Sequence, residues 1–296
     1  MSAFAFNLVR LNNAFITGIK SPSYERREQF AIATQDGTLY QTSAPVIRAA
    51  PKATFTTVAV KALFTLFGGA GALPFVVMDG TNGCELIGTK INTAGPGYDA
   101  TAVHASRKGV AGMVFLSGIR WSPGQIAEAM CDVLWTTAAG GTDPVVIATV
   151  ALPTIPVNTE QLVLSTCTVP AGVLSRITSL DLAVTHQAEN NDDAICFSTG
   201  LPFPMLLKQA GVGGSAEIVL TIETLDLTTV MTNGTVTVVF GVLNHNGVGL
   251  AAGTATITIN AAQIRADTIS GMPGVRRITV RGTWDGTNRP MTITTA

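Results

Sequence analysis

Glu189-Asn-Asn-Asp192-Asp193 is the one concentrated run of oxygen ligands in the sequence, and binding a hard cation such as calcium is the chemistry it could serve. The run lacks the Asp-x-Asp-x-Asp-Gly spacing and a downstream Glu to close the loop, so it reads as a solvated hairpin loop. Cys84, Cys131, Cys167 and Cys196 are scattered, with no Cys-x-x-Cys pair and no histidine at ligand spacing, which argues against zinc. They read as reduced thiols of a protein made in a cytoplasm. His104, His186 and His245 lie in unrelated contexts, and no Gly-x-Ser-x-Gly elbow is present for a serine nucleophile.

The glycine clusters fare no better as phosphate cradles. Gly69-Ala-Gly71 follows a helical pattern and precedes a strand, the reverse of the order a dinucleotide or P-loop fingerprint needs. Asn233-Gly-Thr235 matches a glycosylation sequon but reads as a turn, because Met1 to Asn7 has no basic stretch leading into a long apolar run. No residue is therefore assigned a catalytic, cofactor-binding or metal-binding role. The chain is expected not to be an enzyme and to need no cofactor.

Composition points elsewhere. Of 296 residues, 40 are threonine and only 12% are charged, while 47% are hydrophobic. Mean hydropathy is +0.39, high for a dispersed monomer and natural where subunit interfaces replace solvated surface. A net charge of −1 lacks the electrostatic footprint of a protein that grips phosphates, and the pairs Arg26-Arg27, Arg107-Lys108 and Arg276-Arg277 read as turns or intersubunit ion pairs. The most apolar window, Val58 to Val77, carries Lys61 and is broken by glycines and Pro74, so no membrane span is expected.

The elements that such a chain would build are strands. Asp36-Gly37, Asp79-Gly80, Asn82-Gly83, Asn233-Gly234, Asn246-Gly247 and Asp285-Gly286 all have tight β-turn chemistry. Thr235 to Phe240, Thr254 to Ile259 and Arg277 to Trp284 alternate threonine or charge with branched apolar residues, the pattern of an antiparallel sheet packed on one side. A helix, a glycine turn and a strand are expected three times, with helices over Thr57–Phe67, Ile126–Trp135 and Pro202–Gln209.

These patterns predict a mainly β fold: two antiparallel β-sandwich or barrel-like units, each with a flanking α-helix, plus extended loops or arms. A boundary near Thr168 to Ser175, where Pro170 and Gly172 interrupt the pattern, divides the chain into 1–170 and 171–296. Thr89 to Lys108 reads as a projecting arm whose deletion would leave a folded protein unable to polymerise. Ser21 to Gln29 is a second polar excursion.

The element order from Gly112 to Phe240, with Thr-rich strands, low charge and arms, resembles the tail tube proteins of long-tailed bacteriophages. The resemblance implies a structural virion protein whose sheets join those of neighbouring copies around a channel, with helices outside and loops or arms reaching the next ring. A two-unit member implies a homo-oligomeric ring, such as a trimer with pseudo-sixfold symmetry, stacked on copies of itself. Its partners would be other virion proteins, and DNA only as transient cargo. The alternative is another virion component of the same composition, a capsid decoration or head-completion protein; a different class is a carbohydrate-binding or adhesin-like β-sandwich. The last would want clustered exposed aromatics, whereas Trp121, Trp135 and Trp284 are dispersed.

Overall fold

The computed structural model describes residues 4–26, 28–30, 33–34, 41–43, 46–68, 74–90, 99, 101–137, 143–154, 161–185, 188–190, 207–209, 217–227, 229, 231–244, 249–268, 274–284 and 286–296. Among them the fold is mainly β, with one helix. The strands are β1 (Phe4–Leu11), β2 (Ala14–Ile16), β3 (Ile19–Glu25), β4 (Glu28–Phe30), β5 (Ala33–Thr34), β6 (Gln41–Ser43), β7 (Val46–Ala49) and β8 (Lys52–Thr57). Helix α1 (Val60–Leu66) follows, then β9 (Phe75–Val77), β10 (Cys84–Lys90), β11 (His104–Gly109), β12 (Gly112–Trp121), β13 (Glu128–Trp135) and β14 (Val146–Val150). The remainder are β15 (Leu162–Val169), β16 (Gly172–Val173), β17 (Ile177–Thr185), β18 (Ala188–Asn190), β19 (Leu207–Gln209), β20 (Glu217–Thr224), β21 (Gly234–Leu243), β22 (Leu250–Thr268), β23 (Arg276–Gly282) and β24 (Met291–Thr295).

Three bodies of sheet carry the fold. One has the order β14-β11-β10-β1-β2. A second runs β16-β15-β21-β22, with β24 on the far side of β22. The third continues from the second half of β22 as β22-β23-β20-β17-β12-β13-β8-β3, an eight-strand run. β22 serves both because it turns at Ala261, which takes the left-handed φ of 45°. Its residues Ala255 to Ile259 pair with β24, and Gln263 to Thr268 pair with β23. A strand that switches sheets in this way makes the corner of a sandwich. The inward residues, among them Phe55, Leu116, Trp135, Leu182, Leu220, Phe240 and Ile257, form one continuous buried core.

The predicted strands within Gly112–Gly118, Val145–Val150, Gln161–Val169, Ile177–Val184, Glu217–Ile222 and Thr235–Phe240 are all present. The helix predicted over Thr57–Phe67 is α1, whose Val60, Leu63 and Phe64 share one buried stripe. Ile126–Trp135 is not helical. Its residues 128–135 form β13, in which Ala129, Cys131, Val133 and Trp135 are buried and the alternate residues are not. That period of two is the strand signature, and Ser122-Pro123 begins a turn closed by the Gln125 N–H to Ser122 O bond, not a helix. In Pro202–Gln209, Leu207–Gln209 is strand β19 paired with β18, and the rest lies outside the described residues.

Turn chemistry proved a guide to reversal but not to pairing. Asn82-Gly83 and Asn233-Gly234 lead from one sheet into another, because β9 and β10, like β20 and β21, have different partners. Gly286 lies between β23 and β24, which are likewise unpaired, and Asp285 is outside the described residues. Two of the dipeptides lie between strands that pair with each other, Asn246-Gly247 between β21 and β22, with Leu243 opposite Leu250, and Asp36-Gly37 between β5 and β6, with Thr34 opposite Gln41, although both dipeptides themselves lie outside the described residues. Pro170-Ala171 is a hairpin turn, with Val169 paired to Gly172. Strands from either side of residue 170 share sheets, through β12 with β17 and β15 with β21.

The predicted arm is also corrected. Thr89 and Lys90 end β10, and His104 to Lys108 belong to β11, a central strand of the five-stranded sheet. Glycine and threonine in those flanks concealed a ladder in which Leu86 pairs with Arg107 and Ile87 with Ser106. Residues 91–98 and 100 lie outside the described residues. The excursion at Ser21 to Gln29 contains most of β3, an edge strand paired with β8 and bulged near Ser21, whose φ is 47°.

Candidate lining face and open sheet edges

The outward face of the eight-strand run gathers charges that are scattered in sequence. Arg277 and Glu223 are register partners on β23 and β20, and their side chains meet at 2.9 Å. Arg120 and Asp181 are partners on β12 and β17, 3.2 Å apart. Lys52 pairs with Asp132 at 3.3 Å across β8 and β13, and Lys20 pairs with Glu128. Between them stand Thr54, Thr221 and Thr279, with Ser23 Oγ hydrogen-bonded to Thr54 Oγ1 at 2.7 Å. Partly exposed pairs of this kind add at most about 1 kcal/mol each. Their physical consequence is electrostatic: each of these charges is cancelled by a neighbour one or two strands away, leaving a hydrated face on which neither sign dominates.

Basic pairs that looked isolated are thus split between roles. Arg277 joins the outward face, whereas Arg276 turns away and donates from Nη1 to Thr229 O at 2.7 Å. Arg265 and Arg281, with Asn233, Gln263, Asp267 and Thr279, border a shallow cavity of about 510 Å³ at the β22 end of the same face.

Several sheet edges are open among the described residues. β3 pairs only with β8, and the second half of β22 pairs only with β23 beyond Ala262. β14 pairs only with β11 and carries no charge and no proline, yet its Val146 and Ile147 are 60% and 65% exposed. Such an apolar edge is what a monomer ordinarily blunts. The contrast with β24 is direct: it is likewise the last strand of its sheet, but α1 packs against it and Ile293 is fully buried.

The residues with chemical potential are dispersed. The thiols of Cys84, Cys131 and Cys167 are buried, and burial pushes them up, Cys167 to about 12, which leaves them protonated. Cys196, His186 and His245 lie outside the described residues, as do Asp192 and Asp193, while Glu189 sits in β18. His104 is buried, its Nδ1 accepting from the Lys90 N–H at 3.0 Å and its ring bridging to Asp99 O. Among the described residues no three His, Cys, Asp or Glu side chains group as metal ligands, and no helix is long and apolar enough to cross a membrane.

The buried charge of the five-stranded sheet escaped the sequence reading. Glu85, 2% exposed on β10, is ion-paired to Arg10 on β1 and accepts from Ser106 Oγ on β11. Alternation in Cys84–Lys90 puts Glu85, Ile87 and Thr89 on one face, but the strand is buried on both, which no local pattern announces. No protein-family model matches this sequence, and no curated protein matches it either.

Proposed function

We propose that this chain is a structural virion protein of the tail-tube kind, made in a host cytoplasm, whose copies close into rings that stack into a conduit for DNA. The observation that carries this reading is a repeat of hydrogen-bond register. Val9 pairs with Leu86, Leu86 with Arg107, and Arg107 with Ile147. Cys167 pairs with Val238, Val238 with Ile257, and Ile257 with Ile293, in the same geometric sequence. Both first strands slip register at the same point, between Phe6 and Leu8 and between Leu164 and Thr166.

The long sheet repeats in the same way. Val114 pairs with Val133, Val133 with Ala53, and Ala53 with Tyr24. Ile264 pairs with Val280, Val280 with Leu220, and Leu220 with Leu182. Residues 4–150 and 162–296 then form two copies of one unit, so that the division falls between β14 and β15 instead of at 170. Each unit supplies a five-stranded sheet and four strands of the long sheet, in the orders β3-β8-β13-β12 and β17-β20-β23-β22.

Within the chain the units join where β12 pairs with β17. The free ends of the long sheet, β22 and β3, are the counterparts of those two strands, so the junction can recur from copy to copy and close a ring. An eight-stranded barrel would fill its interior with side chains, which the ion-paired, threonine-bearing face does not suit. Three copies would give a pseudo-sixfold barrel of about 24 strands, which at about 4.8 Å spacing and about 40° tilt is about 48 Å across at the backbone. A wall whose charges cancel locally would let DNA slide without being gripped.

Negative-stain electron microscopy of concentrated protein tests this. Rings or tubes with a central channel are expected. A uniformly dispersed monomer would sink the reading and favour a decoration protein.

A further inference from the structure

Register-equivalent positions of the two units differ in burial. In the second unit, Ala255, Ile257 and Ile293 on the inner face of β22 and β24 are all at most 1% exposed. The helix α1 that packs against this end of the sheet belongs to the first unit, through its buried Val60, Leu63 and Phe64. At the equivalent place in the first unit, Ile147 on β14 is 65% exposed, although its ladder partner Arg107 stands where Ile257 stands. One unit's sheet is covered by its neighbour, and the other's is bare.

The missing cover is present elsewhere on the chain. Thr57 and Thr224 end equivalent strands, so Val58 corresponds to Leu225, Val60 to Leu227 and Phe64 to Met231. Val58 is 8% and Val60 and Phe64 are 0% exposed, whereas Leu225 and Leu227 are 43% and 55% exposed and Met231 is half-buried at the margin of the core. The segment is held ready. Asp226, 8% exposed, accepts from the Thr229 N–H at 3.1 Å, from Thr229 Oγ1 at 2.9 Å and from Ser175 Oγ at 3.2 Å. Arg276 anchors Thr229 from the sheet side.

We infer that Leu225, Leu227 and Met231 of one copy seat against the Ile147 face of β14 on the next copy, as α1 seats against β24 within the chain. The occupant is a second copy of this protein, because the same junction already exists once inside it. The two exposed apolar patches are then the two halves of one contact. The inference rests on the two-unit ring reading.

The test uses full-length protein with Cys196→Ser, leaving the buried thiols Cys84, Cys131 and Cys167 as background. Ile147→Cys and Leu227→Cys combined in one chain should be joined between copies by a short bis-maleimide into a ladder that ends at the closed ring, whereas either substitution alone should remain a single band. Leu227→Asp and Ile147→Asp should each abolish rings in micrographs while melting at the parental temperature, because both positions are already exposed. Leu250→Asp, at another exposed leucine, should still assemble. Rings that form in both aspartate variants, with no cross-link in the double-cysteine protein, would overturn this contact and leave the tube reading standing. Cross-linked multimers that never enclose a channel would uphold the contact and sink the tube. Neither association nor cross-link at any concentration would overturn both.

Discussion

Thr57 and Thr224 make the same two hydrogen bonds at the ends of β8 and β20. Thr57 Oγ1 donates to Thr17 O at 2.7 Å and accepts from the Ala59 N–H at 3.0 Å. Thr224 Oγ1 donates to Ser175 O at 2.5 Å and accepts from the Asp226 N–H at 3.0 Å. Both side chains are fully buried, and the residues following Thr17 and Ser175, Gly18 and Arg176, share the left-handed conformation with φ of 63° and 52°. Each hydroxyl locks the last turn of its strand to the chain segment entering the neighbouring edge.

Thr57→Val and Thr224→Val preserve shape and strand propensity but leave one part-buried carbonyl and one buried N–H without the threonine hydroxyl. Each should lower stability by about 1–3 kcal/mol, by similar amounts at the two sites. Chemical denaturation with midpoint and slope determined separately checks this. A loss confined to one site would count against the equivalence of the two strand ends.

Gly109 lies where β11 hands over to β12, and a Cβ there would fall 2.1 Å from Trp135 Cδ1. Trp135 is fully buried and touches Tyr24, with ring centroids 6.0 Å apart, so it has no room to retreat. Gly109→Ala is therefore expected to cost at least about 1–3 kcal/mol, in the range of overpacked cores. Thermal unfolding against the parent is the measurement. Deleting Thr89 to Lys108 should go further and abolish folding, because it removes most of β11 from the middle of its sheet.

Asp79 ties the loop after β9 to the turn between β1 and β2. Its Oδ1 accepts from the N–H groups of Gly83, Asn82 and Thr81, while its own N–H donates to Asn12 Oδ1 at 3.1 Å. The bond from Gly83, followed by those from the Asn82 side chain and Thr81, holds the carboxyl well below the usual carboxylate range. A folded-state pKa depressed in this way stabilises fully above the unfolded value of about 3.9, and that contribution fades as pH falls through the folded value. Melting temperature from pH 7 down to pH 2 should fall less steeply below about pH 4 in Asp79→Ala than in the parent.

With Cys196 replaced by serine, the native protein should show no fast-reacting thiol at pH 8. Burial keeps the thiols of Cys84, Cys131 and Cys167 protonated, and the thiolate is the reactive form. Denaturant should release all three to an aromatic disulfide reagent. Prompt labelling without denaturant would mean that the core around them opens readily.

The charge balance of the lining face predicts a gain of binding. Glu223→Lys and Asp181→Lys together would leave Arg277 and Arg120 unpaired and add two cations beside them. Stability should change little, by about 1 kcal/mol or less per pair. Assembled protein should then retain DNA in a salt-dependent way that the parent does not, as seen by filter binding at low and moderate salt. Equal retention by parent and variant would remove the face from any contact with DNA.

Sequence alone determined the class of fold and most strand positions. Strict alternation in Thr254 to Ile259 and Arg277 to Val280 puts threonine or charge out and branched side chains in, whatever else the chain does. It misread β13 as a helix, because Glu, Ala, Met and Leu carry strong helix propensity and only burial of Ala129, Cys131, Val133 and Trp135 revealed the period of two. It also gave β11 to an arm and put a boundary inside the β15–β16 hairpin. Which strand lies beside which was settled by tertiary structure, since pairing is a long-range choice that no dipeptide encodes. The buried Glu85 cluster, the register repeat and the bare face of β14 all depend on residues distant in sequence meeting across a ladder or a core, as Arg10 meets Glu85 75 positions away.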